Sequence, residues 1–122
     1  MIRNAVNNGT LKIDGRSGGI TGYNGDTVWG NTGILLDVKN NGDITSESMG
    51  GIGGITGINS SGSSITGAEN TGLVELKDGG GSEVGGISGD NDGLIENVKT
   101  AEILKGIYIA LMLWVSAALA VS

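Results

Sequence analysis

The feature that most constrains the fold of this chain is an internal repeat built on the heptapeptide GGI[ST]G-x-N. The heptapeptide occurs three times, at residues 18–24, 53–59 and 85–91. Three copies are too many for chance in 122 residues, and a long internal repeat is the sequence signature of solenoids, propellers and related arrays. Any fold of this chain must therefore give the three copies the same local structure.

A second conserved block of the repeat sets its period. The block begins at residue 2 and aligns without gaps with three later segments, 35–44, 65–74 and 95–104. Its first and last columns are aliphatic in all four copies, and successive copies begin 33, 30 and 30 residues apart. A period of about thirty residues lies within the range of known solenoid repeats. The fourth copy has lost the Asn and Gly of the others, which is typical of a terminal repeat that becomes a cap.

Composition favours a thin core over a wide one. Gly accounts for 25 of the 122 residues, Pro is absent, and the aromatic residues are two Tyr and two Trp. Regularly spaced aliphatic residues argue against disorder, and the lack of Pro and of a G-x-y period excludes collagen. Short alternations such as 10–13, punctuated by Gly, Asn and Asp, predict strands of four to six residues. The sequence therefore predicts an all-β parallel β-helix, or β-solenoid, of about three to four coils over residues 1–100.

Charge and missing residue types exclude several classes of function. The formal net charge is −6 with no run of basic residues, which argues against a nucleic-acid partner. The chain contains neither Cys nor His, so disulfides, zinc sites built on these residues and imidazole acid–base catalysis are unavailable. We expect a non-enzymatic protein without catalytic, metal or cofactor-binding residues.

The repeated Asn and Gly residues have a structural interpretation. Asn side chains that recur at one corner of a solenoid can form a ladder, in which each amide bonds the amides above and below it. Gly at a fixed offset would permit the positive φ that a corner needs, and paired glycines suit a close approach of adjacent backbones. The predicted structural repeat residues are Asn7, Gly9, Gly18, Gly19, Ile20, Gly22, Asn24, Asn40, Gly42, Gly53, Gly54, Ile55, Gly57, Asn59, Asn70, Gly72, Gly85, Gly86, Ile87, Gly89 and Asn91.

The C-terminal segment 101–122 differs from the rest of the chain. Residues 106–122 contain no charged residue and only one Gly, and their Ala, Leu and Met favour a hydrophobic helix. Seventeen residues would span roughly 25 Å as a helix, the short limit for crossing a bilayer. Three interpretations stay open: a membrane anchor, a cap that closes the solenoid, and non-native or truncated sequence. The chain also begins in mid-repeat, so we expect it to be a fragment of a longer protein.

These motifs resemble the GLUG repeat of bacterial surface proteins, which occurs in adhesins and beside IgA-cleaving peptidases. The resemblance rests on the GGI[ST]G-x-N heptapeptides and on the Asn-x-Gly element of the second block, and it covers residues 2 to 100. It departs from the usual family pattern at Ala5, Val38 and Ala68, where Cys or Tyr tends to follow the aliphatic position. The resemblance implies a right-handed secreted β-solenoid that serves as a stalk or adhesive surface, without catalytic residues.

Several weaker candidates were weighed against plainer interpretations. The acidic segment 90–93 with Glu96 has oxygen ligands at alternate positions, but it lacks calcium-loop spacing and is more typical of a solvated turn. The carboxylates of Asp37 and Asp43 could in principle hydrolyse glycosides, although nothing places two carboxylates across a cleft. Residues 27–36 look like an insertion, either a loop or a partial extra coil. Its Trp29, with Tyr23, could stack on a sugar ring or, more simply, pack under the loop.

The sequence thus predicts a cell-surface or secreted bacterial module with a structural or adhesive function. The expected partners are a surface glycan or a host protein, a membrane through residues 106–122, and a second copy through end-to-end association, because exposed solenoid edges tend to pair. The alternatives are a membrane-anchored or filament-forming assembly scaffold and a carbohydrate-active β-helix enzyme.

Overall fold

The described part of the chain is built from short parallel strands wound into stacked turns. A computed structural model describes residues 1–26, 28–47, 50–77, 83–101 and 104–105. All strand pairs among these residues are parallel, and none of the residues lies in a helix. Parallel strands need long crossovers, and here the crossover is the remainder of one turn of the solenoid.

Each turn of the chain, called a coil below, contains five strands. Coil 1 comprises β1 (Ile2–Arg3), β2 (Val6–Asn7), β3 (Leu11–Ile13), β4 (Ser17–Gly18) and β5 (Thr21–Asn24). Coil 2 comprises β6 (Ile34–Leu36), β7 (Lys39–Asn40), β8 (Ile44–Ser46), β9 (Ile52–Gly53) and β10 (Thr56–Asn59). Coil 3 comprises β11 (Ser64–Thr66), β12 (Glu69–Asn70), β13 (Val74–Leu76), β14 (Val84–Gly85) and β15 (Ser88–Asn91). A further turn begins with β16 (Leu94–Glu96), β17 (Lys99–Thr100) and β18 (Leu104–Lys105).

The five strand positions form five parallel sheets along the stack. Three of the sheets have four strands, in the orders β1-β6-β11-β16, β2-β7-β12-β17 and β3-β8-β13-β18. The other two have three strands, in the orders β4-β9-β14 and β5-β10-β15. The register pairs Ile2 with Leu35, Leu35 with Ile65, and Ile65 with Ile95. The gapless alignment read from the sequence is therefore confirmed residue by residue.

The strands are shorter than the sequence predicts. They span two to four residues, whereas the alternation of polar and apolar residues predicts four to six. The chain turns a corner every few residues, because Gly, Asn and Asp interrupt each extended run. The expectation of longer strands is therefore wrong, although the predicted all-β parallel solenoid architecture is confirmed.

The core is narrow and aliphatic, as the composition requires. One inward cluster combines residues of the sheet that contains β1, residues that directly precede the strands of the β2 sheet, and the Ile of the GGI[ST]G blocks. Its members are Leu35, Val38, Ile55, Ile65, Ala68, Ile87, Ile95 and Val98, with Ala5 and Ile20 packed against them. A second cluster contains Ile52, Val74, Leu76 and Val84, with Ile13 packed against it. Each coil thus buries its aliphatic residues against those of the next coil, as in other solenoids.

The structure tests only the beginning of the segment 101–122. Leu104 and Lys105 form β18, which pairs in parallel with β13, so the solenoid continues past residue 100. Residues 102–103 and 106–122, to which the hydrophobic helix was assigned, lie outside the described residues. In the part that is described, no helix has the length and apolarity that a bilayer span requires.

Candidate functional site

The first asparagine ladder runs through the sheet that contains β2. Asn7 Nδ2 donates to Asn40 Oδ1 at 2.7 Å, and Asn40 Nδ2 donates to Asn70 Oδ1 at 2.8 Å. The side chains of Asn40 and Asn70 are fully buried, with 0% and 1% exposure. Buried amides without partners would destabilise the fold, and here each one bonds the coil above or below. The ladder predicted from the repeat is therefore present.

Each amide of the first ladder also closes its own corner. The Nδ2 atoms of Asn7, Asn40 and Asn70 donate to the carbonyl oxygens two residues on, at 2.9, 2.8 and 3.1 Å. In return, the Gly9 and Gly72 amides donate to the Oδ1 atoms of Asn7 and Asn70 at 3.1 Å. One side chain therefore both shapes the turn inside a coil and joins neighbouring coils.

None of the glycines of this corner has a positive φ, and two of them, Gly42 and Gly72, are needed for space. Gly9, Gly42 and Gly72 are not among the positive-φ residues, so the conformational role predicted for them is wrong. A Cβ on Gly42 would overlap the Gly9 carbonyl, and a Cβ on Gly72 would overlap the Gly42 carbonyl. Consecutive coils approach too closely here for any side chain.

A second asparagine ladder, which the sequence analysis did not distinguish from the first, runs through the sheet that contains β5. Asn24 Nδ2 donates to Asn59 Oδ1 at 2.8 Å, and Asn59 Nδ2 donates to Asn91 Oδ1 at 2.7 Å. The same Nδ2 atoms donate to the carbonyls of Ser64 and Leu94 at 3.0 and 3.2 Å. Strands are called β1-type to β5-type below, after the sheet to which they belong. Because Ser64 and Leu94 begin β11 and β16, this ladder fixes the base of the corner between β5-type and β1-type strands.

The paired glycines connect the two halves of the repeat. A Cβ on Gly19 would overlap the side chain of Asn40, and one on Gly54 would overlap the side chain of Asn70. A Cβ on Gly86 would overlap Thr100, which replaces Asn in the fourth copy. The second Gly of each heptapeptide thus makes room for the first-ladder residue of the following coil. This contact explains why the two blocks recur together.

One corner adopts a positive φ in every coil and was not predicted from the sequence. It lies between the β1-type and β2-type strands, and its four residues are Asn4, Asp37, Gly67 and Asn97, with φ of 57°, 53°, 69° and 52°. Asn, Asp and Gly are the residue types that tolerate the left-handed region. Their recurrence in one column of the alignment was the available signal.

The outward faces carry the ionisable groups. Arg16 Nη1 donates to Tyr23 Oη at 3.1 Å on coil 1. Partial burial, together with the nearby Asp90 and then Asp92, raises the pKa of Glu83 above its usual range, although Arg16 opposes the shift. Solvent-accessible ion pairs join neighbouring coils elsewhere on the surface, with Lys39 and Glu69 at 3.2 Å. Pairs this exposed contribute little to stability.

The weaker catalytic and metal candidates do not converge. Asp37 occupies the positive-φ corner, while Asp43 Oδ1 accepts a hydrogen bond from the Leu73 amide at 2.9 Å at a different corner. In the acidic segment, Asn91 belongs to the second ladder and donates to the Gly93 carbonyl at 3.0 Å. Among the described residues, no three Asp or Glu side chains are grouped in a way that could hold a metal ion.

The insertion in coil 1 is a loop and not an extra coil. It occupies residues 25–33, between β5 and β6. The carboxylate of Asp26 accepts hydrogen bonds from the amides of Val28 and Trp29 at 2.9 and 2.5 Å and from Asn31 Nδ2 at 2.8 Å. These bonds, from Trp29 and Asn31 first, lower the pKa of Asp26 below its usual range. The side chains of Val28 and Trp29 are 79% and 81% exposed, so Trp29 does not pack under the loop.

The fold and these contacts define an all-β, parallel β-solenoid held together by two asparagine ladders. Comparison with protein-family models, with curated proteins and with solved structures finds no match for this chain.

Proposed function

We propose that the chain is a non-enzymatic structural and adhesion module of a bacterial cell surface, built from GLUG-like repeats. The proposal rests on one observation, that inward and outward positions of the repeat differ in how much the residue type varies from coil to coil. Inward columns keep a narrow range of residue types from coil to coil, as in Asn7, Asn40 and Asn70. Outward columns change freely: the column next to the buried Ile/Leu column reads Arg3, Leu36, Thr66 and Glu96.

This division suits a spacer that presents different surfaces on a constant frame. Stacked repeats that contact only their neighbours form extended, quasi-one-dimensional bodies, and the two ladders add side-chain hydrogen bonds between consecutive coils. Rigid scaffolds that carry variable loops are a common basis of recognition. The loop 25–33 is such a feature, with two apolar side chains held out in solvent.

The adhesion function is tested with beads coated with the full chain. Under flow, coated beads are expected to attach to host-cell or bacterial surfaces, while beads coated with an unrelated acidic protein of similar charge are washed away. A parallel incubation with polysaccharides measures the release of reducing ends. Attachment no better than that of the control beads would refute the adhesion function, and steady release of reducing ends would favour the carbohydrate-active enzyme instead.

A filament-forming scaffold is the second candidate, and the edge of coil 1 favours it. Within the residues that the structure describes, each of β1–β5 pairs with a strand on one side only, and Val6 of β2 is 55% exposed. Unpaired parallel edges are templates for further strands. Light scattering tests this candidate: particles that grow with concentration are expected of end-to-end assembly, and monodisperse monomers would exclude it.

The membrane-anchored version of the scaffold depends on residues 106–122. Comparing chains 1–105 and 1–122 with and without detergent separates the interpretations of this segment. A detergent requirement of the longer chain alone would indicate an anchor. Aggregation of the shorter chain would instead indicate a cap that closes the core.

A further inference from the structure

The loop 25–33 contains more residues than its corner requires. The equivalent corner is crossed by residues 60–63 in coil 2 and by residues 92–93 in coil 3. All three corners keep the same second ladder at their base. Since two residues suffice to connect a β5-type strand to the next β1-type strand, the additional residues of loop 25–33 are not required to close the coil.

The described part of the loop, residues 25–26 and 28–33, is preorganised. Its ends are joined by the Asp26 amide, which donates to the Asn31 carbonyl at 2.9 Å. The Asp26 carboxylate accepts three further hydrogen bonds from within the loop. The Gly33 amide donates to Ser63 Oγ at 2.9 Å, which ties the loop to coil 2. A ligand contact made by a fixed backbone loses less conformational entropy on binding than one made by a mobile segment.

The chemistry of the loop tip selects among ligands. Trp29 offers a large apolar surface, and a Cβ on the adjacent Gly30 would have no atom within 4 Å, so that side of the loop is open. The amide and hydroxyl side chains of Asn31 and Thr32 follow. Protein hot spots centred on Trp are surrounded by a ring of contacts that exclude water. Among the described residues of the loop, Val28 is the one other large apolar side chain that is exposed beside Trp29. A saccharide ring combines an apolar C–H face with a hydroxyl rim, and it matches this surface better.

The negative charge of the chain further restricts the class of ligand that the loop would bind. The loop contains one acidic residue and no basic one, and the whole chain carries a net charge of −6. Electrostatic complementarity therefore disfavours anionic glycans and anionic lipid surfaces. A neutral sugar carries no such penalty.

We propose that loop 25–33 is the adhesive contact of the module and that Trp29 stacks on the apolar face of a neutral pyranose ring. This inference rests on the adhesion function proposed above and assigns its ligand class. Asp26 acts as a positioning residue, because it holds the backbone of Trp29 and does not itself contact the sugar.

Variants of the full chain test the inference. In a Trp114→Phe background, Trp29 is the only indole, so its fluorescence reports on the loop alone. Trp29→Ala removes the platform and Trp29→Phe keeps an aromatic face. Leu94→Ala is the matched control, because Leu94 is an apolar residue with 51% exposure outside the loop. The probes are immobilised neutral glucan, mannan and galactan, anionic alginate and heparin, phosphatidylcholine vesicles, and cells before and after periodate oxidation of their glycans.

We expect binding to at least one neutral polysaccharide, with a shift in Trp29 emission. Trp29→Ala is expected to weaken this binding about tenfold or more, since stacking and apolar burial are both lost, while Trp29→Phe retains most of it and Leu94→Ala all of it. Equal binding by wild type and Trp29→Ala would overturn the inference, as would Trp29-dependent binding to vesicles or anionic polymers. The chain could also bind cells without binding any of the isolated polysaccharides. In that case, loss of cell binding after periodate oxidation supports the inference, and binding that survives the oxidation overturns it.

The two proposals fail in different ways. If wild type and Trp29→Ala attach equally well to cells, the adhesion function stands and only the assignment to Trp29 falls. If wild-type beads attach to no cell surface or polysaccharide, the adhesion function falls and the ligand assignment falls with it. Circular dichroism of each variant establishes that the solenoid is intact.

Discussion

Replacing Asn40 with alanine removes the middle residue of the first ladder. Its side chain is fully buried and makes three hydrogen bonds: Nδ2 donates to Asn70 Oδ1 and to the Gly42 carbonyl, and Oδ1 accepts from Asn7 Nδ2. A hydrogen bond contributes about 1 kcal/mol net, and a buried group left without a partner costs about 1–3 kcal/mol. Asn7 and Asn70 each keep a bond within their own coil, so the total loss is expected to be about 3–4 kcal/mol.

The neighbouring residue provides a matched control. Asn41 also takes part in a row of side-chain hydrogen bonds, donating to Asn8 Oδ1 at 2.8 Å and accepting from Thr71 Oγ1 at 2.8 Å. That row is exposed, so water replaces the lost bonds, and Asn41→Ala is expected to cost less than about 1 kcal/mol. The two variants share residue type and substitution, and they differ in burial.

The assay is urea unfolding at pH 7, monitored by far-ultraviolet circular dichroism. The free energies of unfolding are compared only between variants whose free energy depends on urea concentration with the same slope, because a changed slope signals loss of two-state behaviour. Hydrogen exchange gives a local readout. Asn40→Ala is expected to speed exchange at the amides of Thr71 and Asn41, which donate to carbonyls of the preceding coil. Equal losses for Asn40→Ala and Asn41→Ala, both below about 1 kcal/mol, would refute the idea that the buried ladder stabilises the stack.

Further predictions concern backbone space, backbone conformation and pH. Gly42→Ala is expected to force neighbouring coils apart at a cost of about 1–3 kcal/mol, which lowers the melting temperature. Gly9→Ala is the control and should be tolerated, because its Cβ would meet only Asn7 Oδ1 at 3.6 Å. Equal effects of the two substitutions would contradict the spacing argument. Asp37→Val places a β-branched residue at φ 53° and should cost about 1–2 kcal/mol, while Asp37→Gly should not destabilise; calorimetry decides. Because the pKa of Asp26 is lowered in the fold, its carboxylate supports the loop fully above the pKa of an ordinary aspartate. That support is lost as the pH falls through the lowered pKa of the folded state. Trp29 emission should therefore report a loop transition only in strong acid, and a transition near neutral pH would contradict the assignment.

Much of the fold could be predicted because the repeat is nearly gapless. When aliphatic columns such as Ile2, Leu35, Ile65 and Ile95 recur at nearly constant spacing, stacking them in register packs the aliphatic residues of each coil against those of the next. The observed register follows that alignment. The Asn ladder could be predicted for the same reason, since a buried amide in a repeated position has its own copy as its nearest partner.

Other features depend on three-dimensional contacts that a single column does not reveal. The glycines of the Asn-x-Gly element were predicted to supply a positive φ, but Gly42 is instead needed because a side chain would overlap the carbonyl of the preceding coil. The positive φ occurs in a different column, which includes Asn4 and Asp37. The indole of Trp29 is exposed, and the hydrogen bonds of Asp26 hold the backbone that carries it. Composition gives no reason to prefer an exposed indole over a buried one, so that outcome required the structure.

At the corner above the second ladder, the length and sequence of the loop vary while the coils beneath it keep the same structure. Nine, four and two residues cross that corner in coils 1, 2 and 3, yet the side chains of Asn24, Asn59 and Asn91 stay hydrogen-bonded in one ladder beneath it. The entropy of closing a loop rises only slowly with its length. Insertions and deletions at this corner are therefore nearly neutral for the stack, so new sequences can be sampled there, by evolution or by grafting, without redesign of the coils that carry them.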